Sequence, residues 1–456
     1  MSFPVSGDRR QVLVNGQWRE GRGGRPIDVF NPSTNEVLFA IIPASREDVH
    51  EAVDAAWSAY REGPWGRMPG LEKGFLITRL ATLMQERVEI LAELEARNTG
   101  IPIRQSRFEV VSAARHLEYF AGFAGKIEGA ATMLSNDRLM YTLREPLGVV
   151  GQCVPWNTPL KLMARGCAAA LACGNTLVIK PSVVACASVL YFGTLVEEAG
   201  IPNGVVNIVP GPGSMTGTAL VEHPDVRKIV FTGGTEGGAQ VLAAAGRNVV
   251  PALVELGGKG PIIVCGDADL DEAADGVMSQ AFARQGEVCF AGTRLFLPAA
   301  IHDNFVARLV KRADAMVVGD AMDEATEMPT LVTGVKQGMK IAQDEVFGPV
   351  LAVHRYTELG QAVREANATE FGLAGYVWTR DVRQAHRLAA SMECGNVFIN
   401  TYRYSSEVPF GGFKKSGIGR EHGQEALREY TQVKTVVIGL DRWVETDALG
   451  RTTGEG

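Results

Sequence analysis

The sequence lacks the patterns that mark several large classes of protein. It has no apolar run near the ~20 residues that a membrane-spanning helix requires. Its first residues, MSFPVSGDRRQVLVNG, lack the apolar core of a signal peptide. The formal net charge of −7 argues against a nucleic-acid groove or an anionic membrane surface. We therefore expect a cytoplasmic protein that binds neither nucleic acid nor membrane.

The cysteines also lack the usual spacing of a metal site. None of the seven belongs to a C-x-x-C pair, and neither an H-E-x-x-H motif nor a histidine cluster accompanies them. No metal is therefore expected, and the thiols of a cytosolic chain should stay reduced. A free cysteine is most often a small buried apolar residue, and Cys167, Cys173 and Cys186, in alanine-rich surroundings, fit that interpretation. Cys289, in the glycine-flanked stretch AFARQGEVCFAGTRLF, is the candidate for chemistry.

What the chain does contain is an alternating pattern of strands and helices. Its 456 residues exceed one ordinary core, so two or three packed units are expected. Short β-branched segments alternate with helical ones, first in TLVIK, VVNIV, KIVF and LVEL, and then in PIIVC, TRLFL, AVHRY, YVWT and NVFIN. This alternation is typical of βαβ units on parallel sheets. The predicted fold class is α/β, with two open sheets.

Local signals predict further elements in the first third of the chain. The Asn-Gly pair at 15–16 indicates a β-hairpin. Apolar periodicity predicts helices over 46–60, 73–98 and 104–123, the second of which should close at Gly100.

Polar residues follow several of the predicted strands. Asn157, fixed between the two prolines of PWNTP, could present its amide as an oxyanion donor, or could be an ordinary turn asparagine. Glu255, after LVEL, could be a general base or a solvated strand-end glutamate. Lys180, in IKPS, lies where open α/β sheets bind nucleotides, although an exposed lysine is the alternative. The clusters GPGSMTG and FTGGTEGG could hold a phosphate or could simply be turns.

Taken in order, the motifs PWN, IKPS, FTGGTE, ELGGK, QGEVCFAGTR, EVFGPV and PFGGFKKSGIGRE resemble those of the aldehyde dehydrogenase superfamily, over about 90% of the chain. The resemblance implies a Rossmann-like nucleotide-binding domain, an α/β catalytic domain and a small β oligomerisation hairpin, assembled as a homodimer or homotetramer. It implies oxidation of an aldehyde to the acid with NAD or NADP. The corresponding bounds are 1–126 and 147–256 for nucleotide binding, 257–431 for catalysis, 127–146 and 432–442 for oligomerisation, and 443–456 for a loose tail.

The same resemblance implies roles for individual residues. Cys289 matches the nucleophile, Asn157 the oxyanion donor and Glu255 the general base that activates water against a thioester. Lys180 matches a contact to the adenosine ribose. The full set of matched cofactor residues is Trp156, Lys180, Ser182, Gly213, Gly233, Gly234, Glu345 and Phe347.

Several positions depart from the family pattern. Val183 stands where a glutamate usually favours NAD, which leaves room for NADP, and Gly234 replaces a common serine. The pair Arg165-Gly166 replaces a usual Trp-Lys, whereas Glu421, linked to the same proton path, is present. Arg165 could face the substrate tunnel and favour an acidic aldehyde, but we expect a surface or interface arginine.

The largest departure is an apparent internal deletion. On the order of forty residues are missing between Thr326 and Met328. We expect a shortened but competent enzyme, because the set Asn157, Glu255 and Cys289 is intact. The alternative is a catalytically impaired member that serves as a nucleotide-binding or scaffold protein.

The sequence gives only a weak indication of the aldehyde. The residues expected around the substrate are Leu162, Val288, Phe290 and the stretch 401–407. Their apolar and aromatic mix indicates a medium-sized hydrophobic or aromatic aldehyde.

Overall fold

The computed structural model describes residues 11–327, 330–332 and 336–440. Within these ranges the chain forms an eight-stranded sheet (the first sheet), a six-stranded sheet (the second sheet), a three-stranded sheet (the small sheet) and two short two-stranded ribbons. Helices cover both large sheets, so the predicted α/β class is confirmed.

The N-terminal region begins with the predicted hairpin. Asn15 and Gly16 both have positive φ, 52° and 70°, as a tight hairpin turn requires. The elements of this region are β1 (Val12–Val14), β2 (Gln17–Arg19), β3 (Ile27–Phe30), β4 (Val37–Ile41), α1 (Arg46–Arg61), α2 (Pro64–Arg67), α3 (Gly70–Glu86), α4 (Val88–Thr99) and α5 (Ile103–Ala121).

The helix predicted over 73–98 is in fact two helices. It breaks at Arg87, whose φ of −109° and ψ of 23° leave the helical range between α3 and α4. Neither glycine nor proline marks this break, so the prediction of one helix was wrong. The predicted end at Gly100 is confirmed, because this residue caps α4 in the left-handed conformation at φ 78°.

The first sheet is completed by the middle of the chain. Its strand order is β2-β1-β9-β8-β7-β10-β11-β20. The five neighbouring strands β9, β8, β7, β10 and β11 are parallel to one another. The register aligns Cys153 with Lys180 and Thr232 with Glu255, so these strand ends lie at one edge. The elements that follow α5 are β5 (Ala131–Ser135), β6 (Arg138–Pro146), β7 (Val149–Cys153), α6 (Pro159–Ala172), β8 (Thr176–Lys180), α7 (Ala187–Glu198), β9 (Val206–Ile208), α8 (Thr218–Val221), β10 (Lys228–Thr232), α9 (Thr235–Asn248) and β11 (Ala252–Glu255).

The second sheet has the order β14-β15-β13-β12-β17-β18, and all its pairs are parallel. The remaining elements are β12 (Gly260–Val264), α10 (Leu270–Phe282), β13 (Gly292–Pro298), α11 (His302–Asp314), β14 (Thr330–Val332), α12 (Lys340–Gln343), β15 (Val350–Tyr356), α13 (Leu359–Asn367), β16 (Phe371–Gly372), β17 (Ala374–Trp378), α14 (Val382–Ser391), β18 (Asn396–Ile399), β19 (Phe413–Lys414), β20 (Gly417–Ile418), α15 (Glu425–Glu429) and β21 (Thr431–Gly439).

The two halves of the chain share a sheet. Strand β20, which belongs to the range 257–431 predicted as catalytic, pairs with β11 and extends the first sheet. Glu255 thereby lies opposite Gly417, next to the second half of the chain. The domain bounds stay a prediction.

The small sheet consists of β21, β6 and β5, which contain most of the predicted oligomerisation strands. Positions 441–442 and the predicted tail at 443–456 lie outside the described residues. Apolar side chains are exposed along this sheet at Met133, Leu134, Leu143, Val433 and Val437.

The segment that precedes the apparent deletion packs on α5. The backbone N–H of Ile103 donates to the carbonyl of Ala321 at 2.8 Å. Arg104 pairs with Glu327 at 2.9 Å, and a further ion pair of 2.6 Å joins α5 to Glu324. The residues just before the deletion are therefore held against α5.

No helix within the described ranges is long and apolar enough to cross a bilayer.

Candidate active site

The three predicted catalytic residues converge on one cavity. Asn157 follows β7, Glu255 ends β11 and Cys289 precedes β13, and all three line a space of about 250 Å³. The predicted cofactor residues Trp156, Gly233, Gly234, Glu345 and Phe347 line the same cavity, together with Leu162.

Cys289 is the cysteine that reaches solvent. It is partly exposed, whereas the other six cysteines are buried, which confirms the structural interpretation of Cys167, Cys173 and Cys186. Burial raises the pKa of the Cys289 thiol to about 11, while the nearby Arg165 guanidinium opposes that rise. The backbone at Cys289 packs directly against Gly258, and a larger residue would not fit there, because a Cβ at position 258 would lie 2.3 Å from the Cys289 carbonyl oxygen. A pKa of about 11 means that the Cys289 thiol is protonated at neutral pH.

The Asn157 side chain is oriented by the segment that carries the cysteine. Its amide Nδ2 donates to the backbone carbonyl of Glu287 at 2.9 Å, and the residue is 7% exposed. An amide nitrogen has two N–H groups. One is fixed on Glu287, and the other makes no hydrogen bond to the described residues. Asn157 thus has a donor to offer to an oxygen atom in the cavity.

Glu255 is almost fully buried, at 1% exposure, and neither carboxylate oxygen has a hydrogen-bond partner within the described residues. Burial, and next the charge of Glu421, raise the pKa of Glu255 well above its usual value. Arg165 and Arg420 act in the opposite direction. Burial without a hydrogen-bond partner therefore favours the neutral form of the Glu255 carboxyl group.

The structure contradicts the surface or interface position expected for Arg165. This side chain is 4% exposed and lies 2.8 Å from the Glu421 carboxylate. Its Nε donates to His422 Nε2 at 2.6 Å, and its guanidinium carbon lies 4.7 Å from the centre of the Phe410 ring. Buried partners from a distant part of the chain satisfy the charge, and this is why a local interpretation was wrong. The neighbouring Gly166 is also enclosed, since a Cβ there would lie 2.7 Å from the Gln152 amide.

Two residues beside this pair, His116 and His422, were missed by the sequence analysis, which had named Tyr404 only as part of the stretch 401–407 expected around the substrate. His422 lies 3.1 Å, nitrogen to nitrogen, from His116, and its other ring nitrogen bonds the hydroxyl of Tyr404. Burial lowers the pKa of both histidines, to about 3 for His116. No periodicity or motif marks residues that come together from α5 and from two loops over 280 positions away, so only a three-dimensional view reveals them.

A second cavity, of about 370 Å³, lies at the same edge of the first sheet. Lys180 and Gly213 line it, whereas Ser182 lines neither of the two cavities. Lys180 is 8% exposed and forms no ion pair within the described residues. Burial lowers the pKa of its ammonium group. A buried cation without an anionic partner fits a polar or anionic ligand such as a nucleotide.

Glu345 and Phe347, from the loop before β15, also line the first cavity. The Glu345 carboxylate accepts a hydrogen bond from the Gly258 N–H at 3.0 Å. Phe347 adopts a left-handed φ of 53°, and its ring meets Trp156 edge to face at 5.5 Å between centroids. The loop is thus held over the cavity by one polar contact and one aromatic contact.

No group of three potential metal ligands is found within the described part of the chain.

Comparison with known proteins gives a consistent result. The sequence model of the Aldehyde dehydrogenase family matches residues 18–329 and 328–436, in two segments that meet where the deletion was predicted. Retinaldehyde dehydrogenase 3 of Mus musculus is 38% identical over 476 positions, covering 94% of this chain and 93% of the relative. Cytosolic aldehyde dehydrogenase 1 of Rattus norvegicus is 37% identical, covering 95% of both. The NAD+ complex of an aldehyde dehydrogenase from Bacillus cereus superposes with a TM-score of 0.94 at 36% identity, covering 95% of this chain and 97% of the other.

Proposed function

The chain belongs to the aldehyde dehydrogenase family, an NAD(P)-dependent enzyme family, and on that premise we propose that it oxidises an aldehyde to the carboxylic acid through a thioester on Cys289. The observation that carries this proposal is the cavity shared by a partly exposed thiol, an amide donor and a buried carboxyl group. The overall reaction consumes the aldehyde, one water and the oxidised cofactor, and yields the acid, the reduced cofactor and a proton.

In the first step the Cys289 sulfur forms a bond to the aldehyde carbon, and the carbonyl oxygen becomes an oxyanion. The thiolate is the reactive form, so the thiol gives its proton to solvent as the bond forms, and this is the proton released in the overall reaction. Arg165 favours this loss, because its positive charge stabilises a nearby anion in a poorly solvated site.

The oxyanion is stabilised by the free N–H of Asn157. A donor that is already oriented needs no rearrangement when the charge develops, and such a donor contributes about 3–4 kcal/mol to the transition state. Here the hydrogen bond to the Glu287 carbonyl supplies that orientation. Asn157 and Cys289 are therefore held by one and the same backbone segment.

The two cavities supply a place for the cofactor. We propose that Lys180 and Gly213 hold its adenosine half, and that Trp156, Gly233, Gly234, Glu345 and Phe347 surround the nicotinamide half beside Cys289. When bound, NAD(P) accepts the hydride that leaves the former aldehyde carbon. Ser182 lines neither cavity, so its proposed contact with the cofactor has the least structural support.

Glu255 is the base for thioester hydrolysis in this proposal. It accepts a proton from the water that attacks the thioester carbon, and it returns that proton to the Cys289 sulfur as the carbon–sulfur bond breaks and the acid leaves. Only the ionised carboxylate can accept that proton; burial opposes the ionised form, whereas the cations Arg165 and Arg420 favour it. A raised pKa suits a carboxyl group that accepts and then returns a proton within one catalytic cycle.

We propose that the enzyme accepts NADP as well as NAD. Val183 carries no charge, so nothing at this position repels a 2′-phosphate, while Lys180 offers an unpaired ammonium group in the adjacent cavity. Gly234, in the first cavity, also leaves open space, since a Cβ there would meet no atom within 4 Å.

The proposed substrate is a hydrophobic or aromatic aldehyde. The Phe290 ring packs on Phe410 at 5.6 Å and on Tyr404 at 6.1 Å between centroids, so aromatic groups flank the residue that follows the nucleophile. Leu162 lines the cavity itself, and Val288 is buried beside it. The alternative of an acidic aldehyde has less support, because the guanidinium of Arg165 already contacts Glu421.

We further propose a cytosolic homo-oligomer. Seven free cysteines suit a reducing compartment. The exposed apolar side chains of the small sheet suit contact with a second copy, and light scattering coupled to gel filtration tests that assembly.

A panel of aldehydes assayed with NAD and then with NADP tests the proposed function. Absorbance of the reduced cofactor should rise with at least one aliphatic or aromatic aldehyde, and the Cys289→Ala variant should give no signal while it still binds nucleotide. The rival function, a nucleotide-binding scaffold, predicts binding without turnover for both proteins.

A further inference from the structure

The backbone just before the nucleophile is strained. The nucleophile segment (residues 283–291) begins with a single turn in which Arg284, Gln285 and Gly286 all have positive φ, at 49°, 54° and 74°. Side chains other than glycine populate this region sparsely, so surrounding contacts must hold Arg284 and Gln285 there. A Cβ on Gly286 would lie 2.2 Å from the Gly348 carbonyl oxygen, so this turn is also pressed against the loop that follows Glu345.

The contacts that hold the turn come from α4 and α5. The Arg284 N–H donates to the Gln105 side-chain oxygen at 2.8 Å, and its guanidinium lies 3.1 Å from the Glu109 carboxylate. Gln285 donates from Nε2 to the Gly100 carbonyl at 2.5 Å. The side chains of Arg284 and Glu109 are 8% and 5% exposed. Both the backbone and the side chain of Arg284 are therefore fixed from one helix.

The turn is linked to the oxyanion donor by two consecutive hydrogen bonds. The Arg284 carbonyl accepts from the Glu287 N–H at 2.9 Å, and the Glu287 carbonyl accepts from the Asn157 amide at 2.9 Å. Cys289 follows two residues later. A change in the turn at Arg284 would therefore displace the carbonyl that orients Asn157 and would move the thiol relative to it.

We infer that Arg284, anchored by Glu109 and Gln105, is a positioning residue that sets the relative placement of Asn157 and Cys289. It lines neither of the two cavities, and it acts through the Arg284–Glu287–Asn157 hydrogen bonds. This inference rests on the proposed roles of Asn157 and Cys289. A displacement on the order of 1 Å between reacting groups lowers turnover by about 10²-fold, so the consequence is measurable.

The chain offers a matched control in Lys161. This lysine also pairs with Glu109, at 2.8 Å, and its side chain is 12% exposed. Arg284→Met and Lys161→Met each remove one cation and leave Glu109 with one partner. Each variant removes one buried positive charge beside Glu109, but only Arg284 belongs to the nucleophile segment and also lowers the pKa of Cys289. Gln105→Met, which keeps every charge, therefore separates position from charge.

The experiment compares kcat, KM for the nucleotide, the iodoacetamide alkylation rate of Cys289 and urea unfolding across these variants. Arg284→Met should lower kcat by about 10²-fold with KM for the nucleotide changed less than about twofold, and should alter the alkylation rate by about tenfold. Lys161→Met should stay within about threefold of the parent in kcat at a similar loss of stability, and Arg284→Lys should recover about tenfold of the lost turnover. Equal effects of the two methionine variants would overturn the inference.

Gln105→Met provides a second route if Arg284→Met does not fold. It removes the hydrogen bond to the Arg284 N–H without a change of charge, and we expect a loss in kcat of about tenfold or more. Parental kcat in a folded Gln105→Met protein would contradict the inference. Failure of the proposed function itself is distinguished by the parent enzyme, which would then show no aldehyde-dependent turnover.

Discussion

A guanidinium nitrogen of Arg165 lies 2.8 Å from a carboxylate oxygen of Glu421, and the two side chains are 4% and 2% exposed. This pair joins α6, the helix after Asn157, to a residue 256 positions later in the chain. It also places a buried positive charge where it acts on the pKa values of both Cys289 and Glu255. The pair therefore connects the packing of the site to the ionisation of its reactive groups.

Removal of one member of this pair should be costly. A buried ion that loses its partner destabilises a protein by about 3–5 kcal/mol, so Arg165→Met should lower the free energy of unfolding by that amount in urea titrations. The double variant Arg165→Met/Glu421→Gln leaves neither charge alone and should recover at least half of the loss. A double variant no more stable than Arg165→Met would show that the ion pair is not the source of the effect.

Alkylation of Cys289 by iodoacetamide should depend steeply on pH. Because the thiol pKa is raised to about 11, the thiolate fraction should grow about tenfold per pH unit from pH 7 to pH 9. The other six cysteines are buried and provide an internal control, and Cys289→Ala should abolish the rapid phase. A rate that levels off below pH 9 would mean that the thiol is more acidic than its surroundings imply.

Asn157→Ala should reduce kcat by about 10²–10³-fold, because an oriented oxyanion donor is lost. Nucleotide binding, measured by fluorescence quenching, should stay within about twofold, since the amide contacts the Glu287 carbonyl rather than the cavity of Lys180. A decrease in kcat of less than tenfold would assign oxyanion stabilisation to another group.

The proximity of Asn157 and Glu255 was predictable, because strands of a parallel sheet bring their carboxyl ends to one edge. Asn157 follows β7 and Glu255 ends β11, and these two strands flank β10 in the first sheet. Local turn chemistry likewise predicted the hairpin at Asn15 and the helix end at Gly100. Such features depend on residues adjacent in sequence or on a repeated βαβ pattern.

The burial of Arg165 and the contacts that hold Arg284 in place were not predictable in the same way. An isolated arginine is usually exposed, and only the position of its partner decides otherwise. Glu421 lies 256 residues from Arg165, and Glu109 lies 175 residues before Arg284. Arg284 and Gln285 are not residue types that favour a left-handed conformation, so the sequence does not predict it. Tertiary contacts impose this conformation.

Val183→Glu should shift the cofactor preference toward NAD. A carboxylate at this position would repel a 2′-phosphate, so kcat/KM for NADP should fall by about 10–100-fold while that for NAD falls less than about threefold. Val183→Gln has similar size without charge and should leave the preference near that of the parent enzyme. If the glutamine and glutamate variants behave alike, shape rather than charge sets the preference.

The most direct test of the central claim is mass spectrometry of the Glu255→Gln variant after reaction with an aldehyde and NAD(P). Glutamine cannot accept the proton of the attacking water, so the variant should produce about one reduced cofactor per active site and then stall. The predicted result is an intact protein heavier by one acyl group, located by peptide mapping at Cys289. An unmodified Cys289 together with steady turnover would contradict the account.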